Sequence, residues 1–260
     1  MTRRVAIRAG RLLMALAVLG ASPLRAAQGP ASRSLEERVA AAEASYDRAR
    51  LQLAIDELSK LAAGDPANPE YPYYLARAHF PQIDLFDWTG DRERAREVGR
   101  KGLEYLETSL RLGGGANPDA YRVLGDYYGR LRFLEGAFGR LRYGGLSAKY
   151  HKMALDRRPE DPRALIGYAT DKLHAPSAFG GDLGAAIELL EKALSIDPSL
   201  AHGHVWLAKA YLKQGKAVLA RAEFDKARAL APKSGSVQGE WEIAIREHEE
   251  LKEAKTALAR

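Results

Sequence analysis

Residues 129–145 read GRLRFLEGAFGRLRYGG, and Gly129-Arg130-Leu131-Arg132-Phe133 returns as Gly139-Arg140-Leu141-Arg142-Tyr143. Four arginines interleaved with aromatic residues can hold an anion. The planar guanidinium presents paired N–H donors that match a carboxylate, and the rings supply apolar walls. The same stretch also reads as helix. Leu124, Tyr128, Leu131, Leu134, Phe138 and Leu141 step by three and four residues, and Arg130, Arg132, Arg140 and Arg142 fall off that stripe. The doubled segment is then two turns of one lengthened helix that stops at Gly144-Gly145. A break near Glu135-Gly136 is the alternative, because each of Gly129, Gly136 and Gly139 inside a helix costs about 1 kcal/mol relative to alanine.

Other residue groups point to no reaction. Asp84, Asp87 and Asp91 lack the spacing of a calcium-binding loop. His202 and His204 are two apart on a helical stretch and face different directions, which makes them poor co-ligands. His248-Glu249-Glu250 is not H-E-x-x-H, and no strand precedes or lysine follows Gly180-Gly181-Asp182. There is no cysteine, so thiolate chemistry, disulfides and cysteine lipidation are excluded. No serine, histidine and acid sit in a recognisable motif. The sequence therefore assigns no catalytic residue, metal or cofactor, and an enzyme with an unrecognised site is the third and weakest of three functional readings.

The formal charge of the whole chain is +6, but residues 1–26 hold five arginines and no acid. A basic start, an apolar run from Leu12 to Leu19 and small residues from Ala21 to Ala27 read as an export signal over 1–27. Thr2-Arg3-Arg4 faintly resembles a twin-arginine signal, so the export route stays open. Removing 1–26 takes the formal charge to +1. A basic field for nucleic acid is then absent. The expected location is periplasmic or secreted, with no membrane insertion after processing.

The elements that must carry the arginines repeat. Prolines at 66, 118, 159, 198 and 232 stand at helix-breaking turns, and the last interval is 34 residues. Leu207-Ala208, Tyr211, Ala220, Phe224, Ala227 and Pro232 follow a large-small, aromatic, small, aromatic, small, proline order. Tyr121-x-x-Leu124-Gly125-x-x-Tyr128 opens another unit, while Ala54, Leu58, Leu61, Pro66 and Ala186, Leu190, Ala193, Pro198 close two more. In period and residue types this resembles the tetratricopeptide repeat. The resemblance implies an all-α solenoid of antiparallel helix hairpins, four and irregular, over residues 34–232. Residues 28–33 are a short linker. Trp241, Ile245, His248 and Leu251 recur at helical spacing, so 233–260 reads as a C-terminal capping helix. Such a scaffold carries no chemistry of its own.

The earlier proline intervals exceed 34 residues, and phasing assigns the excess to 80–91, 129–145 and 174–182. Each falls at, or runs into, the turn between the two helices of a hairpin. Stacked hairpins place equivalent turns along one edge, so the three segments should meet. The candidate binding residues are Phe80, Phe86, Trp88, Arg130, Arg132, Phe133, Phe138, Arg140, Arg142, Tyr143 and Phe179. They have two readings. The aromatics fill a satellite core and the arginines pair with acids, or an aromatic floor and basic rim receive an apolar group ending in a carboxylate. Function follows as a non-enzymatic binding scaffold of the cell envelope with a protein or peptide partner. The elongated hairpins also resemble the tetratricopeptide component of some tripartite periplasmic transporters, which implies a small-ligand accessory subunit as the alternative.

Overall fold

A computed structural model describes residues 34–230. The expected export signal and linker, and the capping helix over 233–260, lie outside them. The described residues form ten α-helices: α1 (Leu35–Ser45), α2 (Arg48–Gly64), α3 (Glu70–Trp88), α4 (Arg92–Arg111), α5 (Pro118–Leu134), α6 (Gly136–Arg157), α7 (Pro162–His174), α8 (Leu183–Ile196), α9 (Ala201–Lys213) and α10 (Ala217–Leu230). No strand occurs among the described residues. Consecutive helices pack in pairs, and first helices also touch the first helix of the next pair, α1 on α3 and α5 on α7. The stack holds five hairpins where the sequence suggested four.

Local chemistry sets the boundaries. Ser34 and Glu37 form a reciprocal capping box at the start of α1. The side chains of Asp47, Asp91, Asp161 and Asp182 accept backbone N–H bonds at the starts of α2, α4, α7 and α8. Pro118 and Pro162 occupy first helical positions, where a missing N–H costs nothing. In the corner between the two helices of each hairpin one residue has positive φ: Tyr46, Gly90, Gly136, Gly180 and Gly215. Glycine adopts that left-handed conformation without the Cβ clash other residues meet. Gly136 therefore ends the continuous helix expected through Leu141. The helix breaks at Glu135-Gly136, and the doubled arginine segment splits between α5 and α6.

The long proline intervals are absorbed by helix rather than by enlarged turns. Helices α3, α4 and α6 have 19, 20 and 22 residues, against 13 and 14 in α9 and α10. Phe80–Trp88 belongs to α3, and of the three expected extensions only 174–182 is mainly non-helical, with a short 3-10 turn at Ser177–Phe179. Small residues bring the helices together as the repeat pattern requires. Gly125, Ala186, Ala193, Ala208, Ala220 and Ala227 are buried. Ala54 is half-buried, since the first hairpin has a neighbour described on one side only.

One close approach ties the second hairpin to the third. Tyr127 is fully buried, and its hydroxyl donates to the Ala76 carbonyl at 2.6 Å. Gly102 faces the ring, and a Cβ built there would fall inside the phenol. Gly102→Ala is expected to lower unfolding stability by roughly 1–3 kcal/mol, the cost of overpacking a filled core. Urea unfolding followed by circular dichroism measures this. An unchanged midpoint would show that the two helices separate freely here.

Candidate functional site

The first helices of all five hairpins contribute to one open groove of about 520 Å³. Its walls come from α1 (Glu43), α3 (Arg77, Phe80, Asp84), α5 (Arg122, Asp126, Arg130, Phe133), α7 (Arg163, Thr170) and α9 (His202, Trp206, Lys209). Within each helix these positions recur every three or four residues, so one face of every first helix is given to the groove. Pro81 also lines it from inside α3. Proline has no N–H, so the carbonyl of Arg77 lacks its usual helical donor there.

The groove is electrostatically polar along its length. At the first-hairpin end, Arg77 is gripped through two nitrogens by Glu43, at 2.9 and 2.5 Å, with Glu36 at 3.5 Å. Burial opposes the charge on Arg77, but the Glu43 bonds outweigh it and hold its pKa above the usual arginine value. Arg130 sits 2.6 Å from Asp84 and 3.3 Å from Asp87. Of the residues that line this end, two carboxylates, Glu43 and Asp84, face two guanidiniums, Arg77 and Arg130. At the other end Arg163 and Lys209 line the wall with Asp197 the lining carboxylate. Lys209 is 5 % exposed and its ammonium lies 4.0 Å above the Trp206 ring.

A largely buried ionic cluster forms the middle of the groove wall, where Arg122, Asp126, Arg132 and His151 line it. His151, on α6, is 2 % exposed. Its Nδ1 is 2.7 Å from Asp171 Oδ2 and its Nε2 3.1 Å from Asp126 Oδ1. Burial disfavours the imidazolium, but the hydrogen bonds and charges of the two aspartates prevail and raise its pKa to about 9. Asp171 Oδ1 accepts from the Ser147 hydroxyl at 2.7 Å and from Arg132 at 3.0 Å. Arg122 closes the chain by pairing with Asp126 at 2.5 Å and Asp119 at 2.7 Å. The imidazole lies between Gly125 of α5 and Gly167 of α7, and a Cβ on either would overlap it. Although this gathers Ser, His and Asp, both ring nitrogens are occupied by carboxylates and Ser147 bonds Asp171, not His151. The cluster is built as an ionic lock between three helices, not as a base presented to a substrate.

The structure divides the sequence-derived residues. Phe80, Arg130, Arg132 and Phe133 line the groove. Arg130 and Arg132 form no rim, since both are paired with aspartates, and Arg132 is 6 % exposed. Phe133 packs edge-on against His174, which in turn meets Trp206. Phe86 and Trp88 turn instead toward the first hairpin corner, where Arg48 covers Phe86 at 4.7 Å and Tyr46 stacks on Trp88 at 5.5 Å. Tyr143 is buried against Tyr128. Phe138 and Phe179 are 83 % and 82 % exposed and, with Arg140 and Arg142, stand outside the groove. The expected aromatic floor is therefore reduced to Phe80 and Phe133, joined by Trp206.

Sequence reasoning missed Arg77, Asp126, His151, Asp171, Trp206 and Lys209. A signal for the lining residues was present, because Arg77–Asp84, Arg122–Asp126–Phe133 and His202–Trp206–Lys209 are polar or aromatic residues at helical spacing beside the apolar stripe. The cluster in the wall joins residues 126, 151 and 171, and no local pattern connects them.

The tetratricopeptide-repeat family model matches residues 180–239. No curated protein sequence matches the chain. Among solved structures, a thermophilic tetratricopeptide-repeat protein of Thermus thermophilus is similar at TM-score 0.59 and 21 % identity, over 82 % of this chain and 99 % of that one. The HusA haemophore of Porphyromonas gingivalis aligns at TM-score 0.52 and 20 % identity, over 78 % of this chain and 96 % of its own. At such identities the likeness is one of fold. Helix hairpins stacked in chain order, small residues at their close contacts and a repeat match over residues 180–239 together make the fold a tetratricopeptide-repeat-like helical solenoid.

Proposed function

We propose that the chain is a non-enzymatic binding scaffold of the cell envelope whose groove receives an extended peptide segment of a protein partner. One observation carries this reading: the first helices of five successive hairpins build a single continuous groove that is charge-balanced at the first-hairpin end and richer in cations at the other. A peptide with a free carboxylate complements that difference. Its carboxylate end suits Arg163 and Lys209, an apolar or aromatic residue suits Phe133 and Trp206, and cationic residues suit Glu43 and Asp84 at the far end. The small-ligand accessory role stands as a second reading because the volume falls within the range of about 300–1,000 Å³ typical of ligand pockets. The export signal in the sequence supports an envelope location.

Selection of a displayed library of free C-terminal peptides on the full chain tests this. Peptides with an apolar residue near the terminal carboxylate, and basic residues upstream, are expected. Amidating the selected peptide, or introducing Arg163→Ala, should weaken binding about tenfold, since Arg163 is exposed and its removal leaves the core intact. Enrichment of no peptide class, or equal binding by Arg163→Ala, would reject the assignment.

A further inference from the structure

The most exposed large apolar side chains among the described residues include Leu141 at 86 %, Phe138 at 83 % and Phe179 at 82 %. None belongs to the groove. Phe138 and Leu141 are three residues apart in the first turns of α6, so they share one face of that helix. Phe179 lies in the 3-10 turn between α7 and α8. Both sites are corners between the two helices of a hairpin, in the third and fourth hairpins. Successive hairpins put equivalent corners along one edge. At the opposite corners the large apolar residues are less exposed, with Leu112 at 37 % and Ile196 at 42 %. Apart from Leu53 on α2, at 70 %, the most exposed large apolar side chains thus follow the corners within hairpins, Val218 at the start of α10 included at 77 %, and a free solvated edge gains nothing from them.

Charge identifies what covers it. Arg140 and Arg142 are exposed beside Leu141, and Lys172, bonded to the Gly180 carbonyl at 3.0 Å, stands beside the Phe179 turn. The carboxylates at these corners are engaged elsewhere: Glu135 pairs with Arg100 at 2.8 Å, and Asp182 caps α8. The edge therefore presents protruding apolar tips among cations. A second copy would place cation against cation. The three apolar side chains expose on the order of 500 Å² if each contributes 150–250 Å², short of the roughly 800 Å² per partner of a stable protein interface. An anionic lipid surface meets both features. Its headgroups neutralise the cations, and separate apolar tips enter the acyl boundary without needing a matching pocket. We propose that the corner edge formed by Phe138, Leu141, Phe179, Arg140, Arg142 and Lys172 docks the protein peripherally on an anionic membrane surface. This does not depend on the groove reading.

The absence of cysteine allows a direct test. The full chain carries a single environment-sensitive fluorophore at Phe138→Cys or Phe179→Cys, with Ile196→Cys as the opposite-edge control. Vesicles of 30 % phosphatidylglycerol in phosphatidylcholine should shift emission to the blue at 138 and 179 but not at 196. Pure phosphatidylcholine should give little shift, and 0.5 M salt should suppress it. In the labelled Phe179→Cys chain, Arg140→Glu/Arg142→Glu should weaken partition at least about tenfold. Binding through residues 1–27 alone would sediment the chain without shifting either edge label, and that result overturns the proposal. Shielding of the 138 and 179 labels before lipid is added would also overturn it, because a second copy or the chain's own C-terminal segment would then own the edge.

Discussion

Asp171→Ala is expected to destabilise the protein by about 3–5 kcal/mol, the largest effect of any single substitution considered, and to lower the melting temperature by roughly 6–20 °C. Asp171 is 3 % exposed and serves three donors from two helices: Arg132 of α5, and His151 and Ser147 of α6. Removing it leaves Arg132 charged in a site where its Nε already has no partner. A guanidinium cannot give up its proton to escape this penalty, whereas His151 can. The cost thus comes mainly from a stranded charge. Arg132→Met in the Asp171→Ala background should recover a large part of the loss, since replacing a buried pair with apolar side chains costs far less than breaking it. Thermal melts of both single variants and the double variant measure this. Additive losses in the cycle would show that the two residues do not interact, and would sink the ionic-lock account.

Stability is expected to peak near neutral pH, with the two limbs set by different histidines. His151 has a folded pKa of about 9, above the unfolded value of about 6.5. Its contribution is present in full below about pH 6.5 and is lost as pH rises through 9. The shift corresponds to about 3 kcal/mol. His79 and His174 move the other way. Burial lowers His79 to about 4 despite the Gln82 bond, and lowers His174 to about 3 despite the bond to the Thr170 carbonyl. The unfolded chain takes up protons at both sites from about pH 6.5 downward while the folded chain does not. Stability therefore falls as pH drops toward 4. Unfolding midpoints at pH 4, 6.5 and 9.5 should trace this maximum. His151→Gln should flatten the alkaline limb and leave the acid one, and His174→Phe should make the acid limb shallower without removing it, because burial also lowers His79 and His202 to about 4. A midpoint that rises steadily to pH 9.5 would contradict the imidazolium at 151.

What was legible in the sequence is what local physics fixes. Aspartates before apolar runs mark helix starts, prolines mark helix ends, and small residues at repeat spacing mark close contacts. The helices were therefore readable from residues such as Asp161-Pro162 and Ala186–Ala193. Gly90, Gly136, Gly180 and Gly215 were equally visible and mark every corner after the first. Their regular role decides against one long helix through residues 129–145. A long interval between prolines has two local solutions, longer helices or longer turns, and spacing does not choose between them. The stack chooses, since α3 and α4, like α5 and α6, bury additional turns against one another.

The site depends on long-range geometry. Arg132 and Arg142 occupy the same place in their two copies of the doubled motif, yet one is buried on Asp171 and the other is exposed. The difference arises because the left-handed Gly136 reverses the chain between them and sends α5 toward the groove and α6 behind it. Sequence by itself determined the repeat, the helices and the positions of the corners. Only the tertiary structure decided which face of each first helix looks into the groove, because that depends on how adjacent hairpins pack. Packing alone also brings Asp126, His151 and Asp171 together from three helices, with Gly125 and Gly167 leaving the space the imidazole fills.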